Sequence, residues 1–359
     1  MGQNFFFQLL RNELWRKGDV PDALTFEEFD VVNVMAREQT VAGLVCNAIV
    51  RNNVRTGDDN AMRAMAVKVN HERRAMKMAE VLRVLTACLD KHRVNYVVFK
   101  GQTLAELYPE PVMRTLGDID FYCAPADEER ARRAVEQEMG VTVDVVELDK
   151  HHSFYYDGIR IELHYRMETF GSSRHQRYFD ALVERTMSKP SSMQIGALSV
   201  KTMPPMMTIL VCFKHLFNHF LVEGVGLRQI CDMAMLFSRY HDEIDADELW
   251  HHLSMLGYAK AFKAVGALTV KHVGFPAEAF PFALTKRDYR WADRMMKEVL
   301  KRGNFGKYHR RETQDGAAKS LETARIAFGH CARFLPLAPW DILCLMPRRV
   351  SVTMKKYLA

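Results

Sequence analysis

The N-terminal quarter of the chain has the hydrophobic spacing of amphipathic helices. Apolar residues recur at intervals of three and four positions up to about residue 92, in FFFQLLRNELW, FDVVNVMAREQTVAGLVCNAIV and AMRAMAVKVNHERRAMKMAEVLRVLTACLDKH. The second of these segments predicts one helix from about Phe26 to Val50. Thr25 before it and Glu28 inside it match a capping box, which marks the start of that helix.

The spacing changes at about residue 94 to short apolar runs that are typical of strands. VNYVVF and DIDFYC predict two strands, with a short helix in GQTLAELYPEP between them. PADEERARRAVEQEMG predicts a helix that ends at Gly140. Three further strands are predicted in VTVDVVEL (141–148), HSFYYD and IRIELHYRM, and a turn at Asp157–Gly158 joins the last two.

After Phe170 the helical spacing returns, interrupted by a predicted hairpin around Gly196 in MQIGALSVKTMP. The stretch from Pro204 to Tyr240 is apolar almost all round near its start, which predicts a buried helix. The pattern therefore predicts an α+β fold in which a small mixed β-sheet is embedded between helical regions. The expected division is an N-terminal helical region (1–92), an α+β core (93–203) and a C-terminal helical domain (204–359).

Composition and charge narrow the class of protein only slightly. The chain of 359 residues is 48% hydrophobic, too much for a disordered protein, and carries a formal charge of +6. This mild excess suits an anionic partner such as a nucleotide, and equally a solvated basic surface. The seven cysteines form no CxxC pair, which indicates reduced thiols and a cytoplasmic protein. No apolar run approaches the roughly 20 residues that span a bilayer, so no membrane span is expected.

Three acids lie inside predicted strands among apolar neighbours. Asp118 and Asp120 are two positions apart in DIDFYC and would share one face, and Glu162 lies in IRIELHYRM. Buried carboxylates without a partner are costly, and a hard cation such as Mg²⁺ is the usual relief. Two such ions suit an in-line phosphoryl displacement. The alternative is an edge strand with one solvated face.

The residues upstream of the acids suit phosphate binding. Lys100–Gly101 ends the first predicted strand and begins a helix, whose first N–H groups would face a phosphate. Gly101 would let the phosphate approach the backbone, and Lys100 would add a positive charge. Arg114, four positions before Asp118, would hold a phosphate or offset the acids.

The run FKGQTLAELYPEPVMRTLGDIDFYC, followed by IELHYRM, resembles the DNA polymerase β-like nucleotidyltransferase superfamily. More narrowly, it is similar to the uncharacterised bacterial nucleotidyltransferase family proteins with a KG…R…GDID…ELH signature. In that superfamily a turn at a helix start holds the triphosphate, an Asp-x-Asp strand holds two Mg²⁺ ions, and a later carboxylate completes the site. The resemblance implies that Asp118, Asp120 and Glu162 are the catalytic residues and the metal ligands.

The resemblance also implies which residues bind the nucleotide. These candidates are Lys100, Gly101, Gln102, Arg114, Gly117 and His164. The chain departs from the superfamily at two points, because Lys-Gly-Gln replaces the usual Gly-Ser and a glutamate replaces the third aspartate. The gap from the turn to the first aspartate is also somewhat longer than in well-characterised members.

The function implied by the resemblance is a Mg²⁺-dependent nucleotidyl transfer, with Mn²⁺ as an alternative ion. A nucleoside monophosphate would pass from a nucleoside triphosphate such as ATP to a hydroxyl acceptor, a small molecule or a protein, with release of pyrophosphate. The alternative is a catalytically degenerate nucleotidyltransferase fold that serves as a binding or antitoxin-type regulatory protein. The mild charge and the lack of a long basic stripe disfavour a nucleic-acid acceptor but leave it open.

Two further segments carry side chains that are found in metal-binding or nucleic-acid-binding sites. His215 and His219 have the spacing of a zinc pair, but their core-like neighbours and the lack of an HExxH glutamate favour packing or a substrate-pocket role. The segment KRGNFGKYHRR (301–311) interleaves basic and aromatic residues, which suits phosphate or single-stranded nucleic acid, although a solvated loop is favoured. The sequence has neither a P-loop nor a GxSxG motif.

Overall fold

The computed structural model describes residues 2–145, 150–304 and 328–344. A six-stranded mixed sheet lies among helices that precede and follow it along the chain. The predicted α+β fold is therefore confirmed. It follows from the change of hydrophobic spacing near residue 94, where helical periodicity gives way to short β-branched runs.

The chain divides into two compact units. The first consists of residues 1–168 and 183–211, and the second of residues 169–182 and 212–359. All six strands belong to the first unit, and the described part of the second is helical. The expected three-part domain division stays a prediction.

Four helices precede the sheet in the first unit. They are α1 (Gly2–Trp15), α2 (Phe26–Glu38), α3 (Ala42–Arg51) and α4 (Asp58–Lys91). The predicted capping box at the start of α2 is confirmed. The Thr25 hydroxyl accepts from the Glu28 backbone N–H at 3.2 Å, and the Glu28 carboxylate accepts from the Thr25 N–H at 3.0 Å.

The single helix predicted from Phe26 to Val50 is wrong, because the chain leaves the helix at Gln39. Thr40 takes the left-handed conformation with φ +55°. Its N–H donates to the Arg37 carbonyl at 3.0 Å, and the next N–H, of Val41, donates to the Ala36 carbonyl at 2.8 Å. This is a Schellman ending. The sequence lacks the glycine that normally marks such an ending, so the hydrophobic spacing alone predicts one continuous helix instead of α2 and α3.

The sheet contains six strands within the described residues. They are β1 (Tyr96–Phe99), β2 (Ile119–Cys123), β3 (His151–Tyr156), β4 (Ile159–His164), β5 (Ser191–Ile195) and β6 (Leu198–Thr202). Their spatial order is β3-β4-β2-β1-β6-β5. The β2–β4 and β1–β6 pairs are parallel, and the other three pairs are antiparallel.

One face of the sheet forms the hydrophobic core of the first unit. Alternate residues of the central strands, such as Val98, Phe121 and Ile161, are buried there together with apolar side chains of α4 and of α6 (Glu128–Met139). Side chains alternate between faces along a strand, so the residues between them lie on the opposite face. That second face carries the predicted acids.

The turns of the sheet follow the sequence. Asp157 and Gly158, with φ +48° and +69°, form the predicted two-residue turn between β3 and β4, and Gly196 lies at φ +59° between β5 and β6. The predicted strand 141–148 is wrong for residues 141–145, where Asp144 forms only an isolated bridge to Ser153. One bridge does not extend into a ladder, and residues 146–149 lie outside the described residues.

Further helices follow β1 and β4. A short helix, α5 (Gly101–Ala105), follows β1, and the later helices are α7 (Ser173–Met187), α8 (Pro205–Val222), α9 (Leu227–Tyr240), α10 (Ala246–Met255), α11 (Ala259–Leu268) and α12 (Lys286–Arg302). The buried helix predicted from Pro204 to Tyr240 is two helices, because the chain turns at Gly224, with φ +109°, and restarts at Gly226.

Helix α8 is the one described helix that is long and apolar enough to cross a membrane by length and composition, and 72% of it is buried inside the protein. The core helix of a globular domain meets the same criteria. Most of the predicted basic loop 301–311, from residue 305 onward, lies outside the described residues.

Candidate active site

Asp120 and Glu162 lie side by side on the face of the sheet that points away from the core of the first unit. The parallel pairing of β2 and β4 sets Asp120 opposite Glu162, and His164 follows Glu162 by two positions on the same face. We call this surface the site face. β2 lies between β1 and β4, so the alternative of a solvated edge strand is wrong. Asp118 directly precedes β2, two positions before Asp120.

The Lys100–Gly101 turn brings a cation to these acids. Lys100 has φ +58°, a left-handed backbone that costs a non-glycine residue about 1–3 kcal/mol, and such strain is concentrated at functional sites. Its ammonium lies 3.4 Å from Asp120 Oδ1 and 4.7 Å from the centre of the Phe99 ring. Gly101 has φ +28°, and a Cβ there would lie 3.2 Å from the Asp118 carbonyl oxygen. The glycine therefore lets the turn lie against the start of β2.

The field of the acids acts strongly on the buried Lys100. Burial disfavours its charged form, but the carboxylates of Asp120, Glu168, Glu162 and Asp118 more than offset this, so the pKa of Lys100 is raised. Lys100 therefore stays protonated and neutralises part of the cluster.

The ionised form of Asp118 is disfavoured in this cluster. Burial, together with the charges of Asp120 and Glu162, raises the pKa of the Asp118 carboxyl to about 6. Asp120 and Glu162 form salt bridges with basic side chains, whereas Asp118 forms no salt bridge with any described residue. A carboxyl with a raised pKa beside other acids is typical of sites that work with a bound cation.

Glu162 and Asp120 are already surrounded by basic groups. His164 Nε2 lies 2.8 Å from Asp120 Oδ1 and 3.3 Å from Glu162 Oε2. The Arg160 guanidinium donates to Glu162 Oε1 at 3.1 Å, and His151 Nε2 lies 3.6 Å from the same oxygen. Burial would raise the pKa of Glu162, but the hydrogen bond to His164 and the nearby imidazoles outweigh it, so that pKa is lowered.

The remaining predicted nucleotide-binding residues line the same turn. Arg114 is buried and donates to the Gly101 carbonyl at 3.0 Å, so it holds the turn in place. The exposed Gly117 accepts a hydrogen bond from Arg74 at 2.6 Å. Gln102 is buried, and neither its amide oxygen nor its amide nitrogen has a hydrogen-bond partner among the described residues. Such an amide is rare in a folded protein and fits a bound polar ligand.

Sequence reasoning missed three residues of this cluster. His151 lies opposite His164, Arg160 pairs with Glu162, and the buried Glu168 accepts from Lys150 at 3.0 Å. The position of His151 could have been predicted from the sequence. Counting back along the strands from the Asp157–Gly158 turn sets it directly across from His164.

The three acids have the ligand chemistry of a site for a divalent cation. Asp118, Asp120 and Glu162 supply only oxygen ligands, which suit Mg²⁺. Burial first, and the charges of Asp120 and Glu162 second, disfavour the ionised form of Asp118, and a bound cation would favour it. Asp120 and Glu162 would have to exchange their contacts with Lys100, His164 and Arg160 to bind the ion.

His215 and His219 form no such cluster in the described structure. Their rings are 4.4 Å apart on α8, and His219 Nδ1 lies 3.0 Å from Glu223. This is a local contact along one helix, in agreement with the packing interpretation of their spacing.

Comparisons with known proteins agree with the motif. A family model described as uncharacterised nucleotidyltransferase matches residues 27–274, more than half of the chain. No curated protein matches. Among solved structures, an antigenic nucleotidyltransferase-like protein from Paracoccidioides brasiliensis is similar at 11% sequence identity and a TM-score of 0.32, over 54% of this chain and 91% of that one. A TM-score this low supports no structural argument.

Proposed function

Because the chain belongs to the uncharacterised nucleotidyltransferase family, we propose that it is an active, Mg²⁺-dependent nucleotidyltransferase. The donor is a nucleoside triphosphate, and the acceptor is a hydroxyl group of a small molecule or a protein. The observation that carries the proposal is the unbalanced acid cluster. Asp120 and Glu162 are paired across parallel strands, and Asp118 beside them has a pKa raised to about 6.

The reaction exchanges a phosphoanhydride bond of the nucleoside triphosphate for a phosphate ester bond to the acceptor. The acceptor oxygen attacks the α-phosphorus and loses its proton, the bond from the α-phosphorus to the bridging oxygen breaks, and pyrophosphate leaves. Asp118, Asp120 and Glu162 would hold Mg²⁺, which supplies charge neutralisation for the phosphate oxygens. Glu162 would ligate the metal or help to take the acceptor proton, since its lowered pKa keeps it ionised at neutral pH.

Lys100 and Gln102 contribute positioning. The ammonium of Lys100 stays charged in the field of the acids and compensates negative charge that a triphosphate adds. The unpartnered amide of Gln102 offers both a donor and an acceptor to a bound nucleotide. Arg114 fixes the turn that carries both side chains through its bond to the Gly101 carbonyl. Helix α5, with five residues, adds little dipole of its own.

Nucleotide binding tests the first half of the proposal. Isothermal titration of each NTP, with Mg²⁺ and with EDTA, is expected to show Mg²⁺-dependent binding to the wild type. Asp118→Asn and Asp120→Asn are expected to weaken it by at least ~10-fold, since each removes a metal ligand. Asp59→Asn, an exposed acid in the first turn of α4, is the matched control and should bind as the wild type does.

Transfer tests the second half. Protein incubated with α-³²P-labelled NTPs and a panel of proteins, sugars, small alcohols and RNA is expected to label one acceptor class in a Mg²⁺-dependent reaction. If no NTP binds, and the Asp118 and Asp120 variants have unchanged metal affinity, the enzyme proposal fails.

A second candidate function is nucleotide or partner binding without turnover. It is favoured by the contacts that Lys100, His164 and Arg160 already make to Asp120 and Glu162, which neutralise two of the three acids without a metal. A protein that binds Mg²⁺ and NTP but labels no acceptor in the transfer assay would support this candidate.

A further inference from the structure

Two histidines flank Glu162 on the site face, and the three-acid site makes no use of either as a ligand. β3 and β4 pair antiparallel with His151 opposite His164, and Glu162 precedes His164 by two positions. All three side chains therefore leave the sheet on one face. We propose that His151, Glu162 and His164 form a site for one divalent transition-metal ion, with Zn²⁺ as the reference ion. The site shares Glu162 with the proposed function and lies beside Asp120, but two of its three ligands belong to it alone.

The three side chains are close enough to share an ion. Each offers one ligand atom, and these atoms all lie within 4.8 Å of one another. His151 Nε2 is 3.6 Å from one oxygen of Glu162, and His164 Nε2 is 3.3 Å from the other. Two atoms bound to one zinc at 2.0–2.2 Å lie at most about 4.4 Å apart, so small side-chain rotations suffice.

Asp120 lies at the same ring nitrogen of His164. His164 is fully buried, and its Nε2 is 2.8 Å from Asp120 Oδ1 as well as 3.3 Å from Glu162 Oε2. This nitrogen binds a metal when the ring proton lies on Nδ1, so His164 would exchange its hydrogen bond to Asp120 for the ion. The neighbouring Asp120 carboxylate would then favour the positive charge of the bound metal.

The donor set selects the class of metal. Two imidazoles and one carboxylate suit Zn²⁺, Fe²⁺, Co²⁺ and Ni²⁺, whereas Mg²⁺ prefers oxygen ligands and water. The site face would therefore offer an oxygen-rich position at Asp118 and Asp120 and a nitrogen-rich position at His151 and His164, with Glu162 between them.

Arg160 is the competitor for this ion. Its guanidinium lies 3.1 Å from Glu162 Oε1, and 43% of its side chain is exposed, so it is free to turn toward solvent when a metal binds. Replacing it with glutamine removes a competing charge and is expected to tighten metal binding several-fold.

Titration of the untagged, chelator-treated chain with Co²⁺ tests the proposal, because bound Co²⁺ has a visible absorption that reports its ligands. The wild type is expected to bind one Co²⁺ ion, which Zn²⁺ displaces and millimolar Mg²⁺ does not. His151→Gln is expected to lose at least ~10-fold in affinity, and the exposed His241→Gln none. Arg160→Gln should bind more tightly.

The outcome is separable from that of the proposed function. Asp118→Asn should keep the Co²⁺ spectrum and lose Mg²⁺-dependent NTP binding, whereas His151→Gln should show the reverse. If the wild type gives no Co²⁺ spectrum, or His151→Gln binds Co²⁺ as the wild type does, the transition-metal site is overturned whatever the NTP result. If Co²⁺ binds as expected and no NTP does, this inference stands and the proposed function fails.

Discussion

The acid cluster on the site face and a charge network in the second unit both bury ionised side chains, but they balance charge differently. In the second unit the buried Lys214 ammonium donates to Asp341 and Asn218, each at 2.7 Å, and to the Tyr258 hydroxyl at 2.6 Å. Asp341 also accepts from the Tyr258 hydroxyl and, at 3.1 Å, from the Gly171 N–H.

Each charge of the second-unit network meets its opposite. Burial would raise the pKa of Asp341, but Lys214 and the hydrogen bonds outweigh it, so that pKa is lowered. The pKa of Asp118 in the first unit is shifted the opposite way, to about 6, because Asp118 is buried and because the neighbouring Asp120 and Glu162 are also acids. Paired buried charges of this kind serve the fold, whereas a buried acid with a raised pKa beside other acids marks a candidate functional site.

The largest expected effect is on the balanced network. Asp341→Asn leaves the Lys214 ammonium buried without its counter-ion, which costs about 3–5 kcal/mol of unfolding free energy. Urea unfolding measures the loss. Asp293→Asn, which breaks the exposed pair with Lys271, is the control and should cost less than about 1 kcal/mol. Equal losses of unfolding free energy in the two variants would contradict the claim that the buried Lys214–Asp341 pair matters more to stability than an exposed pair.

A smaller effect is expected at Lys100. Lys100→Met takes the cation from the acid cluster and is expected to cost about 1–3 kcal/mol in EDTA, less than at Asp341 because His164 still donates to Asp120. Since a divalent cation compensates the same acids, added Mg²⁺ should stabilise this variant more than the wild type. Thermal unfolding with and without Mg²⁺ measures this, and an equal Mg²⁺ effect on both proteins would contradict a cation site at these acids.

The smallest expected effect is a pH dependence of stability that has opposite signs in the two regions. The folded pKa of Asp118 is raised, so the native state binds its proton first and this region gains stability as pH falls from about 7 toward 4. In the second unit, burial lowers the pKa of His330 to about 4, so the unfolded state binds that proton first and stability is lost as pH falls below about 6.5. Each change is expected to reach about 1–2 kcal/mol at pH 5.

Hydrogen-exchange protection at pH 7 and pH 5, in EDTA and corrected for intrinsic exchange rates, resolves the two regions. Peptides of β2 should gain protection relative to the same peptides of Asp118→Asn. Peptides around His330 should lose protection relative to His330→Gln. A response of the same sign in both regions would contradict the contrast between them.

Much of the acid cluster could be predicted from the sequence because its determinants are local. The alternation along β2 sets Asp118 and Asp120 on one side, the Asp157–Gly158 turn fixes the register of β3 and β4, and the family follows from the same motif. The direction of the Lys100 ammonium could not be predicted from the sequence. It depends on a strained backbone, with φ +58°, and the residue type of Lys100 does not indicate such a conformation.

The balanced network was not predictable in the same way. Lys214 and Asp341 are separated by 127 positions, and neither lies in a recognisable pattern. Lys214 lies in the apolar helix α8. Hydrophobic spacing predicts that this helix is buried, but it does not predict which acid pairs with Lys214. Thr40 is a comparable case within one helix, because hydrogen bonds to Ala36 and Arg37 end α2 where spacing alone predicts continuation.

Asp118→Asn, measured for stability and for ligand binding in one preparation, tests the central claim most directly. If the carboxylate is held among other acids for the sake of a cation, its removal should raise the unfolding free energy in EDTA at pH 7, by roughly 1–3 kcal/mol, and abolish Mg²⁺-dependent ATP binding. A variant that is less stable than the wild type and binds Mg²⁺ and ATP equally well would contradict the account.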